Sequence, residues 1–226
     1  MMTGQTDSGR FGSNAGIAIG PILFIIAILA ILAAAIAAGS GSFTAGTTSE
    51  SNRTKSSALV EIGDNLKIGM DRITMEGGMS PASVIINPAD TNTSSDLFSP
   101  SGGGIAPPST SMANNPGTDV WHYLAGPVPG IGSGGSGTAG DIVAFLPVAA
   151  GVCAEINNRT TGVSVTPAGP SDLGDFTGGT DGTLGTATFA GWPTSAPNLT
   201  GVSTGCVYNS NATTTGYYFY QVLAIQ

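Results

Sequence analysis

Hydrophobic positions are spread very unevenly along this chain. Residues 17–38 read IAIGPILFIIAILAILAAAIAA, a run without a charge, an amide or a hydroxyl. As an α-helix its 22 residues would span about 33 Å, enough for the roughly 30 Å hydrocarbon core of a bilayer. The run is apolar all round, as lipid or a bundle of like helices requires. Pro21 falls in the first turn, where a missing N–H costs little. Ala33, Ala34, Ala35, Ala37 and Ala38 give the second half a small-residue surface suited to close helix packing. A secretory signal peptide has a shorter apolar core of roughly 7–15 residues. Ala33-Ala34-Ala35 and Ala37-Ala38-Gly39 would suit signal peptidase, but the length favours a transmembrane helix.

After this run the period changes. Gly39-Ser40-Gly41-Ser42 predicts a break or hinge. From Thr47 to Glu76 the pattern is helical again. Leu59, Ile62, Leu66, Met70 and Ile73 recur three or four residues apart, with Glu61, Asp64, Lys67, Asp71 and Arg72 between them. That is an amphipathic helix with one apolar stripe. Lys67 can pair with Asp64 at i−3 and Asp71 at i+4. Gly77-Gly78, with Pro81 beyond, predicts the end.

The remainder is punctuated by turn residues, with short apolar runs between them. Strands are predicted at 84–86, 120–124, 142–146, 162–165, 186–190, 206–208 and 217–225. The last, YYFYQVLAI, is rich in aromatic and β-branched residues and apolar on both faces, which suits a central strand covered by the long helix. One helix is expected in LPVAAGVCAEINNRTTG, with Pro147 in its first turn, Gly162 past its end, and Val148, Val152 and Ile156 on one face. The segment 126–140 is of low complexity.

Charge narrows the choice of function. Only 9% of residues are charged, the net charge is −8, and Lys and Arg total six. No basic patch exists, which argues against a nucleic-acid partner. A Gly-, Thr- and Ser-rich chain with few charges suits an exported, loop-rich β domain rather than a cytosolic enzyme. Arg10 before the apolar run weakly favours a cytoplasmic N-terminus and an exported C-terminal part. In an exported domain the two cysteines, Cys153 and Cys206, read as one disulfide worth about 4 kcal/mol. The alternative is two buried thiols. Five Asn-x-Ser/Thr sites (Asn52, Asn92, Asn158, Asn198, Asn211) match what this composition produces by chance.

The order of elements resembles a type IV pilin-like or pseudopilin-like subunit. VCAEINNRTTG (152–162), GCVY (205–208) and GYYFYQVLA (216–224) resemble the C-terminal part of pilin-like proteins of Gram-negative bacteria. The resemblance implies an α+β fold, with a long N-terminal apolar/amphipathic helix packed on a C-terminal antiparallel β-sheet head. It divides the chain into a leader (1–16), a transmembrane or filament-core helix (17–38), a glycine hinge with an amphipathic helix (39–78) and a Gly/Ser/Thr-rich head with one disulfide (79–226). Ile17, Pro21, Phe24, Ile28, Leu32 and Ile36 would form the filament core or membrane face, and Gly12 and Gly16 are candidate leader-cleavage positions. The family's mature helix carries a Glu at its fifth position. Cleavage after Gly12 or Gly16 would put Ile17 or Pro21 there, so the ion pair that Glu makes between subunits is not available.

Chemistry-bearing residues are sparse. His122 is the one histidine, with Asp119 nearby in DVWHYL, but no G-x-S-x-G elbow accompanies it. The expectation is that His122 joins an aromatic cluster with Trp121 and Tyr123. Asp172, Asp175 and Asp181 lie in a Gly/Thr-rich loop without an EF-hand pattern. No enzyme, cofactor or metal site is expected. The resemblance implies a structural subunit of an extracellular pilus-like filament or pseudopilus, polymerising with copies of itself through the apolar helix. It would sit in the bacterial inner membrane before assembly, meet other pilus or secretion components there, and end in an extracellular filament. The competing expectation is a monomeric single-pass envelope protein with a binding or adhesive head.

Overall fold

A computed structural model of the chain describes residues 19–89, 93–132, 140–163, 173–175, 178–184, 187–189, 191–192 and 199–226. The chain divides into two compact units, Met1–Thr48 and Ser49–Gln226. The fold is α+β: an N-terminal apolar helix followed by antiparallel sheets.

Helix α1 runs from Ile19 to Asp71. The break expected at Gly39-Ser40-Gly41-Ser42 does not interrupt it, since the helical backbone continues through both glycines. Single glycines weaken a helix by about 1 kcal/mol relative to Ala, less than a proline's interruption. The helix ends as expected just before Gly77-Gly78, but its last turn, Arg72–Glu76, is π-helical. The Thr74 hydroxyl donates to the Met70 carbonyl (3.0 Å) and to that of Asp71 (3.3 Å), competing with the regular backbone ladder there. Gly78 then turns the chain with φ 65°.

Within the second unit the predicted stripe is buried. Leu59, Leu66, Met70 and Ile73 are core residues and Ile62 packs against them. On the outer face Lys67 pairs with Asp71 (3.3 Å), while Asp64, expected as a second partner, makes no ion pair among the described residues.

Four strands form an antiparallel sheet: β2 (His122–Gly126), β3 (Asp141–Val148), β5 (Thr204–Asn209) and β6 (Gly216–Ala224), in the order β2-β3-β6-β5. A two-stranded sheet pairs β1 (Ile85–Ile86) with β4 (Gly182–Thr183). The central place of β6 matches its composition. Phe219 and Leu223 face the core that includes α1, whereas Tyr218, Tyr220 and Val222 face a second core on the opposite side. That alternation is why apolar residues stand at both parities of the strand, with Gln221 the polar exception. α1 crosses β6 closely at Gly63, where an added Cβ would lie 2.9 Å from Gln221 Oε1 and 3.0 Å from Phe219 Cζ.

Helix α2 (Ala150–Thr161) starts later than expected. Pro147 and Val148 belong to β3, paired with Tyr218 and Tyr217, so neither is helical. Pro147 is tolerated because β2 stops short of it. The last β2 pair is His122↔Phe145, and beyond it the Pro147 carbonyl accepts the Asn114 N–H at 3.0 Å. Gly162 closes α2 in the left-handed region, φ 74°, as predicted. Of the other expected strands, 120–124 begins only at His122, and Val163 is not in a strand, with 164 and 165 outside the described residues. In 186–190 only Thr188 makes a bridge, to Ala125, and 186 and 190 lie outside the described residues.

Candidate functional site

The first feature is the apolar helix surface. From Gly20 to Ala37 the mean hydropathy is 2.8 and no residue is buried. Among the described residues this is one helix long and apolar enough to cross a membrane. Pro21, Phe24, Ile28, Leu32 and Ile36 are all exposed, Phe24 to 66% and Ile36 to 72%. Ile17, Gly12 and Gly16 lie outside the described residues.

The second feature ties α2 to the sheet. Cys153 on α2 and Cys206 on β5 form a disulfide with Cα atoms 5.3 Å apart, and both are fully buried. Beside it, Asn157 holds the Cys206 backbone through both of its side-chain atoms. α2 also meets α1, through an Arg53–Glu155 ion pair (3.6 Å) and a hydrogen bond from Arg159 to the Ser57 hydroxyl.

The third feature is a groove of about 390 Å³ at one end of the sheet. Its walls are the 114–120 loop and the β5–β6 turn, and its floor takes in His122, Val148 and Tyr218. His122 does not join the aromatic pair. Strand alternation turns Trp121 and Tyr123, whose rings stack at 6.5 Å, toward the α1 side and sends His122 the other way. There its Nδ1–H donates to the Gly178 carbonyl at 3.1 Å. Burial lowers its pKa, partly offset by that carbonyl, Asp119 and Asp175, so the ring is neutral near pH 7. Tyr218, also burial-dominated, is pushed up to about 12.

Asp119 accepts the Asn115 N–H at 2.6 Å rather than pairing with His122, and among the described residues no serine lines the walls. Among the described residues no three His, Cys, Asp or Glu side chains come close enough to hold a metal. Asp175 and Asp181 are among those residues, and Asp172 lies outside them. No family model, curated protein or solved structure matches the chain.

Reading the sequence alone missed both the Asn157 clamp and the groove. Asn157 has no local signature. The groove joins residues around 115 to residues around 215, a juxtaposition that only the sheet order creates.

Proposed function

We propose that the chain is a pilin-like structural subunit that polymerises with copies of itself through the apolar helix, its head exported from a bacterial inner membrane. One observation carries the reading. The Gly20–Ala37 surface is wholly exposed, while residues 49–226 build cores of their own without it. So large an apolar surface needs a cover, either lipid or like helices. In a filament outside the cell only like helices are at hand. The order of elements and the disulfide-tied head support the same reading.

A second reading, a monomeric single-pass envelope protein with a binding head, is favoured by the lack of an acid at Ile17 and Pro21. Electron microscopy and mass spectrometry of sheared surface material separate the two. Filaments that contain this chain support the subunit. A chain recovered solely from detergent-extracted membrane overturns it in favour of the anchored module.

A further inference from the structure

We propose that Asn211, in the turn between β5 and β6, is an acceptor for N-linked glycosylation. Composition accounts for the number of Asn-x-Ser/Thr sites in the chain, and the fold separates them. Asn52 lies on α1 and Asn158 on α2. In a helix, residues two apart do not face each other. The hydroxyl of each of these sites is also engaged elsewhere. Thr54 donates to the Glu50 carbonyl (3.0 Å) and Thr160 to the Ile156 carbonyl (3.1 Å). Asn52 is further packed on Gly151 of α2, where an added Cβ would meet its Nδ2 at 2.5 Å. Asn92 and Asn198 lie outside the described residues.

At residues 211–213 the hydroxyl and the amide of one site meet. Asn211 Oδ1 accepts both the N–H (3.0 Å) and the hydroxyl (2.6 Å) of Thr213. Asn211 is half-buried, and Ala212, Thr213 and Thr215 around it are exposed. An acceptor of this kind belongs on a surface loop of an exported chain, and both readings of the function export the head. In the transfer, Nδ2 bonds to the anomeric carbon of a lipid-linked glycosyl diphosphate. The anomeric C–O bond breaks, the lipid diphosphate leaves, and the Nδ2 proton passes to a base of the oligosaccharyltransferase. As the nitrogen loses that proton, negative charge builds on Oδ1, where both Thr213 donors stand ready to stabilise it. The product carries a bulky, solubilising group on a chain in which only 9% of residues are charged.

The purified full-length protein, in detergent, is incubated with a lipid-linked oligosaccharide and an oligosaccharyltransferase whose one acceptor requirement is Asn-x-Ser/Thr. A peptide of residues 209–215 is the positive control, and site-resolved mass spectrometry is the readout. Transfer to purified protein does not depend on export, so a failure here is distinct from a failure of the proposed function. The expected result is one glycan on Asn211, added at least about tenfold faster than any at Asn52 or Asn158. Asn211→Gln removes it, and the preference for residue 211 disappears when the chain is unfolded before transfer. No transfer to Asn211 of the folded chain, while the peptide is modified, overturns the proposal. So does equal or faster transfer to Asn52 or Asn158, or a preference that persists in the unfolded chain.

Discussion

Asn157 on α2 holds both backbone polar groups of Cys206 on β5: its Oδ1 accepts the Cys206 N–H at 2.8 Å and its Nδ2 donates to the Cys206 carbonyl at 3.0 Å. β5 is an edge strand, and an edge leaves a row of N–H and C=O groups unpaired. The amide mimics a neighbouring strand at the residue whose sulfur is bonded to the same helix. The covalent and the polar tie therefore act on one point of the sheet.

Asn157→Ala should destabilise the head by about 2–4 kcal/mol, because it strands a buried donor and a buried acceptor. Cys153→Ser should cost a similar 2–5 kcal/mol. Because both ties hold one strand, the double variant should lose less than the sum of the singles. Denaturant unfolding of all three variants measures this. Strict additivity would show that the two ties are independent.

Much of this arrangement was legible before the structure. The stripe Leu59, Leu66, Met70 and Ile73 follows from helical period alone, and the exposed run around Phe24 from composition alone. β6 follows from its aromatics, because two buried faces demand apolar residues at both parities. Other features were hidden for physical reasons. Pro147 reads as a helix start because sequence cannot show that β2 stops before it. β4 is Gly182-Thr183, a pair with no strand character of its own. His122 reads as part of an aromatic cluster until the pleat assigns it the opposite face.

Tyr123→Phe should stabilise the head by about 1 kcal/mol. The hydroxyl is buried and has no hydrogen-bond partner among the described residues, and burial drives its pKa upward. Removing an unsatisfied buried hydroxyl recovers its desolvation penalty while the ring packing with Trp121 and Phe98 stays. A lower unfolding midpoint for the variant would mean that the hydroxyl does have a partner.

Asp141→Asn should stabilise the head at neutral pH and do little in acid. The Asp141 carboxyl is buried, and burial raises its pKa despite the N–H groups of Gln226 and Val128. One oxygen accepts the Gln226 N–H at 3.1 Å and the other has no partner among the described residues. A raised folded-state pKa means that the folded chain binds the proton more tightly than the unfolded chain. Stability from this group is then greatest below the unfolded value, near 3.8, and falls as pH rises through the folded value. Asn keeps an acceptor oxygen and removes the charge. The difference in melting midpoint between variant and parent should grow from about pH 3 to pH 7. A difference that shrinks over that range would reverse the assignment.

Leu29→Lys and a fragment of residues 49–226 test the division between the apolar helix and the head. Leu29 is 58% exposed, in a segment where nothing is buried, so the head does not depend on it. If copies of the helix bundle together, an ammonium at residue 29 is enclosed by apolar neighbours without a counter-ion. Such a charge costs several kcal/mol even after relaxation. Leu29→Lys should therefore abolish filaments while leaving the melting of the head unchanged. The 49–226 fragment should unfold cooperatively in detergent-free buffer, because the α1 stripe and both faces of the sheet lie within it. Filaments at parental yield from Leu29→Lys would mean that the apolar run is not the polymer core. A fragment without a cooperative transition would mean that the head needs the apolar helix to fold.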